Sequence, residues 1–520
     1  MRWACVLAAW AVSLAQAPTY RVAGVVENAV TGAPLEKTKI SLINALGGRI
    51  QASVVTAVDG RFAFDVPEGH YSLSAERRGQ DRQLYGQHTL GSRTWIGIFV
   101  GPDQPLAPLT FRMIPNASLT GRIVDEAGDP VEGALVQLFR SAVSSGRRKV
   151  FRYNRAYSDE RGEYRFWRLA AGDYYVSASG QPWYSQSQVF KFPLGQTDDR
   201  PVMSFPLTFY PNARDWHSAS AIRLQAGEEA TANLSLVATP GYRVTVKCDP
   251  ALGSTRVTLV GDSFMGAESF AKIEDVWCPE SVLGVFAPGS YLLRSWRGTQ
   301  ANANPVAGRQ KVEVSGADVE VRMDFKPAPT VSGKVQLEDA KVAQMVVGLR
   351  AEEEGSSSSR AVGADGTFSF PNTVPGTYRL VIAEPAGVWA RQVLADGQPL
   401  AGGTFEVTEE HAPQLTVVPG KGLARVAGKV RKGGQPMAGA LVVLVPVTPS
   451  GDSADYGVDR SNSDGSFEMR AVRPGDYFLL AVDADELEYA NRPAIQRYIE
   501  RAVRLHVDTG REYKEDVVAQ

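Results

Sequence analysis

A chain of 520 residues is too long for one core and implies roughly three to five domains. Its 44% hydrophobic fraction excludes wholesale disorder. A formal net charge of -2, from 55 Lys and Arg against 57 Asp and Glu, excludes a generally basic nucleic-acid binder and an acidic tail. The chain opens Met1-Arg2-Trp3, runs apolar from Ala4 to Ala15 and leaves through Gln16-Ala17. That is the pattern of a secretory signal over 1-17, too short to span a bilayer comfortably. No later stretch reaches 18 apolar residues, so the expected mature chain has no transmembrane segment and is extracytoplasmic: periplasmic, at the cell surface or released.

The next elements recur. Arg21-Val22-Ala23-Gly24-Val25-Val26 alternates apolar residues as a half-buried strand does and leads into Thr31-Gly32-Ala33-Pro34. Asp59-Gly60-Arg61-Phe62-Ala63-Phe64 follows, then Gly69-His70-Tyr71-Ser72-Leu73. The Asp-Gly pair supplies the positive φ of a tight hairpin turn, and Phe-x-Phe points two rings to one face. The tyrosine just past the second turn is placed to hydrogen-bond a backbone carbonyl across the corner, as in immunoglobulin-like sandwiches.

A second copy opens at Leu119-Thr120-Gly121-Arg122-Ile123 and continues through Gly162-Glu163-Tyr164-Arg165-Phe166 and Gly172-Asp173-Tyr174-Tyr175-Val176. It is the longest, with an aromatic-rich insertion over 180-217 holding Trp183, Tyr184, Phe190, Phe192, Phe205, Phe209, Tyr210 and Trp216. A degenerate third copy keeps Tyr242-Arg243-Val244-Thr245-Val246 and Pro288-Gly289-Ser290-Tyr291-Leu292. It holds Cys248 and Cys278, which are either a disulfide staple or two buried thiols. The fourth copy runs from Val331-Ser332-Gly333 through Asp365-Gly366-Thr367-Phe368-Ser369-Phe370 to Gly376-Thr377-Tyr378. The fifth runs from Val426-Ala427-Gly428 through Asp464-Gly465-Ser466-Phe467-Glu468-Met469 to Gly475-Asp476-Tyr477. Copies close on apparent hairpin pairs, such as Ile222-Leu224 with Leu234-Leu236 and Val503-Leu505 with Val517. Short helices are expected only near 340-345 and 493-500.

A fixed repeat of this kind sets the architecture. The expectation is an all-β tandem array of five immunoglobulin-like or prealbumin-like β-sandwich modules at 18-115, 116-238, 239-327, 328-419 and 420-520. The string of opening glycine, Gly-Ala-x-Val, Asp-Gly-x-Phe-x-Phe and Pro-Gly-x-Tyr resembles the carboxypeptidase regulatory-like domain family. The resemblance implies a transthyretin-like, seven-stranded sandwich, often described as a carbohydrate-binding-like fold, and an extracytoplasmic binding or scaffolding role. It covers modules one, two, four and five, and only the end of module three. It carries no catalytic residues over.

The residues offer little chemistry. Of the five histidines, none has Glu three positions on, so the zinc site of a metallocarboxypeptidase is missing. Gly261-Asp262-Ser263-Phe264-Met265 fails the nucleophile elbow at its last position. His70 reads as a solvent-facing turn residue. Asp483, Asp485, Glu486 and Glu488 read as a calcium loop or a solvated acidic loop. No metal, cofactor or catalytic residue is expected. Trp183, Tyr184, Tyr210 and Trp216 form either a ligand platform, on which sugars stack, or packing against module three. The expected function is therefore secreted and non-catalytic: binding, of glycans or cell-envelope components, or scaffolding. The alternatives are a ligand-free spacer and a hydrolase with a site at a module junction.

Overall fold

Alternate side chains of these strands need a facing sheet to bury them, and the chain supplies one each time. The computed structural model describes residues 18–45, 48–91, 95–102, 107–186, 202–261, 263–267, 269–297, 306–336, 345–352, 357–385, 387–408, 410–449 and 451–520. The signal segment 1-17, Phe190, Phe192 and the helix expected near 340 lie outside the described residues, except for Met345. Among the described residues ten sheets form five facing pairs, an all-β tandem array of sandwiches. No helix there is long and apolar enough to cross a membrane. The helix expected near 493 spans Arg492–Ile499 and buries Ile495 and Ile499.

The chain divides into two compact units. The first holds Met1–Pro115 together with Met437–Gly439 and Ser461–Gly465. Its opening strand, Thr19–Asn28, pairs antiparallel with Arg61–Pro67 and parallel with Leu109–Met113. The facing sheet sets Lys39–Asn44 between Ile50–Val55 and Gly69–Glu76. Val22, Ile40, Leu42, Phe62, Leu73 and Phe111 fill the space between the sheets.

The second unit contains the other four sandwiches, apart from those two short segments of the fifth, and repeats that topology. In the second sandwich Ala117–Val124 lies between Glu163–Leu169 and the parallel Glu229–Thr231, opposite Leu135–Ser144, which is flanked by Arg147–Tyr157 and Gly172–Gly180. In the third, Tyr242–Lys247 lies between Glu280–Phe286 and the parallel Val319–Arg322. The fourth and fifth do the same around Val331–Val335 and Ala424–Lys432.

Two expected hairpins are corrected. The turn at Gly60 (φ 69°) does have positive φ, as does Gly162 (φ 74°). Yet the strand before each turn belongs to one sheet and the strand after it to the other. The closing pairs also cross: Ile222–Leu224 joins Gly172–Gly180, whereas Leu234–Ser235 joins Ala117–Val124 in parallel. Alternating apolar residues are buried equally well by a partner strand facing across the core as by a neighbour in the same sheet. Periodicity alone therefore does not separate a hairpin from a sheet crossing.

The repeated residues have repeated contacts. Each opening glycine is the direct cross-strand partner of an aromatic: Gly24 with Phe62, Gly121 with Tyr164, Gly333 with Phe368, Gly428 with Phe467. A Cβ on Gly121 would stand 2.0 Å from the Ala232 carbonyl oxygen of the parallel strand and 2.6 Å from the Tyr164 hydroxyl. In the third sandwich the glycine sits on the other strand, as Gly284 opposite Val244.

The corner tyrosines donate to the carbonyl four residues back in all five sandwiches: Tyr71 to Pro67 at 3.0 Å, Tyr174 to Ala170 at 2.9 Å, Tyr291 to Ala287 at 2.9 Å, Tyr378 to Val374 at 2.7 Å and Tyr477 to Arg473 at 2.8 Å. Burial, its largest cause, pushes the Tyr174 phenol up to about 12, so it remains a donor at physiological pH.

Two substitutions rank these contacts. Gly121→Ala must push a backbone carbonyl aside and is expected to destabilise the second sandwich by about 2–3 kcal/mol. Tyr174→Phe removes one hydrogen bond and is expected to cost about 1 kcal/mol. Calorimetry of the full chain checks the order; an equal effect of both would contradict the close-approach account.

Candidate functional site

The motif residues are committed to turns and corners, so chemistry must come from what each sandwich adds. The second adds most. After the strand Gly172–Gly180 the chain forms one helical turn, Trp183–Gln186. Buried Ser185 fixes this turn by accepting from the Met203 amide at 3.0 Å. Trp183 is 76% exposed and stands edge-to-face with Tyr184, ring centroids 5.8 Å apart. The Tyr184 phenol is raised, first by partial burial and then by the carboxylates of Glu126 and Asp125.

The other two expected platform residues lie elsewhere. Tyr210 is half-buried and packs on the second sandwich's own core. Trp216 opens a 3-10 turn, Trp216–Ser218, whose first amides are capped by Asp215. It stacks on His217 at 3.6 Å and meets Phe264 of the third sandwich edge-on at 6.2 Å. Among the described residues no ring contact joins the Trp183–Tyr184 pair to Tyr210 or Trp216. The four residues thus make one exposed pair, one core residue and one junction residue.

That junction is well defined. Fully buried Phe264 inserts among Phe139, Tyr175 and Phe209, at centroid distances of 4.9, 5.0 and 5.0 Å. Beside it the fully buried Gln137 side chain donates to the Phe270 carbonyl at 3.0 Å and accepts from the Phe270 amide at 2.8 Å. A cleft of about 950 Å³ opens along the same junction, lined by Trp216, Tyr242, Phe270, Lys272, Glu274 and Phe286 among others. The role of Phe264 and Gln137 is not legible from sequence, because neither belongs to a motif and their partners lie far off in the chain, Phe270 being 133 residues beyond Gln137.

Further along, Arg379 of the fourth sandwich pairs with Glu352 at 3.0 Å and with Asp452 of the fifth. Arg473 binds Asp452 at 2.8 Å and Asp455 at 2.6 Å, and lies 4.6 Å over the Trp389 ring. The second sandwich also reaches the fifth: the Ala490 amide donates to the Gly146 carbonyl at 3.0 Å, and Arg148 pairs with Glu488 at 3.0 Å. The acidic segment near 485 is held by such contacts. Lys432 pairs with Asp483 at 2.6 Å, and Arg460 donates to the Ala484 and Asp485 carbonyls.

Cys248 and Cys278 are bonded to each other. They join the end of Tyr242–Lys247 to the bend after Phe270–Trp277, one strand from each sheet of the third sandwich. His70 differs from its expected solvent-facing position. The short strand Ile98–Val100 lies alongside it, and the imidazole stacks on Phe99 at 4.1 Å. His411 meets Asp396 at 2.9 Å, and His506 lies between Asp476 at 2.8 Å and Asp508 at 3.5 Å. Among the described residues no group of three His, Cys, Asp or Glu lies close enough to hold a metal ion.

A denatured, unreduced sample is expected to give no thiol reaction at Cys248 or Cys278, and both after reduction. Closing a loop of this length stabilises a fold by about 3–4 kcal/mol, so replacing both by serine is expected to lower the melting temperature of the third sandwich. Thiol titration with calorimetry measures both.

Compared with known proteins, residues 21–96 and 118–237 match the model of the carboxypeptidase regulatory-like domain. Among solved structures the chain is similar to the TIE protein of Bacillus anthracis, with 11% identity, 77% of this chain and 74% of that one covered, and a TM-score of 0.17. It is similar to a streptococcal ancillary pilin, with 11% identity, 59% and 100% covered, and a TM-score of 0.17. It is also similar to two B repeat units of the collagen-binding protein of Staphylococcus aureus, with 10% identity, 78% and 100% covered, and a TM-score of 0.12. Scores of this size carry no argument about function. No curated protein matches the chain. Both matched stretches hold an opening glycine against an aromatic and a tyrosine closed on the carbonyl four residues back, and it is over the first two sandwiches that the chain matches the carboxypeptidase regulatory-like domain.

Proposed function

We propose that this chain is an exported, non-catalytic binding protein of the cell surface or periplasm, built from five modules with the limits 18-115, 116-238, 239-327, 328-419 and 420-520, and that it takes a glycan at Trp183 and Tyr184. The observation that carries this reading is the Trp183–Tyr184 pair. An indole 76% exposed is held on a helical turn whose buried Ser185 is tied to the next strand. A fixed, exposed aromatic pair is what a sugar face stacks on, and ordering it beforehand lowers the cost of binding.

A second reading, a spacer without ligand, is favoured by the directional contacts between sandwiches. The Gln137 clamp and the Arg379–Asp452–Arg473 cluster both serve a fixed arrangement within the second unit.

A glycan array probed with the full chain separates the two. Saturable binding that falls about tenfold or more in Trp183→Ala, the loss expected when a buried aromatic anchor is removed, supports the binder. No binding at all leaves the spacer, and binding unchanged in Trp183→Ala overturns the Trp183–Tyr184 site. Trp216→Ala is a poor probe here, because it also removes a wall of the Phe264 pocket.

A further inference from the structure

The formal net charge of the chain is -2, yet from Arg140 to Tyr157 there are six cations and no carboxylate. Five of those cations lie on one strand, Arg147–Tyr157, which reads Arg-Arg-Lys-Val-Phe-Arg-Tyr-Asn-Arg-Ala-Tyr. The strand stands at the end of its sheet, paired with Leu135–Ser144 on one side. A register shift at Leu138/Phe139 places an extra residue in it. Such a bulge twists an edge and re-aims its side chains.

The cations do not all act alike. Arg148 pairs with Glu488, and Arg152 lies 3.3 Å from the centre of the Phe270 ring. Arg147, Lys149 and Arg155 are exposed. Between and beside them stand three partly bare rings, Phe151 at 38%, Tyr153 at 39% and Tyr157 at 61% exposure. Alternate residues of a strand are about 7 Å apart; Arg147, Lys149 and Phe151 share one face, the extra residue turns Arg155 and Tyr157 to the other, and the edge between the two faces offers spaced positive charge interleaved with flat apolar rings.

We infer that the strand Arg147–Tyr157 is a docking edge for an acidic polysaccharide, its carboxylates or sulfates meeting Arg147, Lys149 and Arg155 and its sugar faces meeting Phe151, Tyr153 and Tyr157. Charge complementarity selects a polyanion. The spacing selects a polymer charged about once per sugar over a nucleic-acid duplex, which carries a negative charge every ~1.7 Å. The inference rests on the exported, binding reading above, since export is what brings the chain to such polymers, but it uses a different surface from Trp183.

There is a rival physical role. Cations on an edge strand keep it from pairing with the edge of another copy. The two roles respond differently when the charge is removed.

The test measures binding of the full chain to a polyuronate, with neutral dextran, double-stranded DNA and phosphatidylglycerol vesicles in parallel. The wild type is expected to bind polyuronate in a salt-sensitive way. The triple variant Arg147→Gln, Lys149→Gln, Arg155→Gln is expected to lose about tenfold, the sum of three exposed charge pairs. Tyr157→Ala is expected to weaken binding while leaving its salt dependence unchanged. Trp183→Ala is expected to bind polyuronate normally, so that loss of the neutral-glycan site and loss of this edge are separately visible.

The inference is overturned if wild type ignores polyuronate, or if DNA or vesicles bind as well as polyuronate and suffer the same loss. It is also overturned if the triple variant keeps its affinity and instead self-associates in light scattering, which would make the cations an edge guard alone.

Discussion

A tyrosine hydroxyl bonded to the carbonyl four residues back closes the corner at which each sandwich passes from its aromatic strand to the opposite sheet. The corner leaves little room. The tyrosine ring folds back over the glycine two residues before it, within 3.1 Å of where a Cβ would sit on Gly69 and 3.5 Å on Gly475. In the last four sandwiches the hydroxyl satisfies a carbonyl lying between the two strands, and in the first it reaches Pro67, the last residue of the aromatic strand. Because Tyr71, Tyr174 and Tyr477 are also buried core residues, one side chain fixes the turn and fills the space between the sheets. The opening glycine answers the same demand from the other side of the sandwich. It lets a parallel strand and an aromatic ring approach one backbone position together, as the Glu515 carbonyl and Phe467 do at Gly428.

These two devices explain what was legible in the sequence. Gly-x-Tyr and Asp-Gly-x-Phe-x-Phe are local patterns whose cause is local, so the all-β class and the corner bond could be read from them. Pairing between strands could not. The alternation of Ile50–Val55 and of Arg61–Pro67 is the same whether they lie side by side or face each other, and the structure sets them in facing sheets. The aromatic insertion divided for a similar reason. Trp183 and Trp216 are indistinguishable by type, and only a contact with Phe264 places one at the junction while the other stays exposed. The basic strand is hidden in the charge of the whole chain, where 57 acids offset 55 bases. A sheet edge presents its own residues to a partner, not the average.

The contacts between sandwiches of the second unit divide their work between attraction and register. The cup of Phe139, Tyr175 and Phe209 around Phe264 buries apolar area and is indifferent to small rotations. Gln137 is not. Its amide is fully buried and matches both backbone groups of Phe270, so a shift of about 1 Å would strand donors and acceptors at a cost of about 1–3 kcal/mol. Between the fourth and fifth sandwiches the arrangement recurs in ionic form: Arg473 lies over Trp389 while Asp452 is shared by two guanidinium groups. Removing Asp452 would leave two largely buried cations short of a partner, which penalises any movement that separates them. A chain that only had to span a distance would be served by loose polar linkers. Buried directional groups at successive junctions hold orientation as well as distance, and orientation matters to a protein whose exposed faces must meet something.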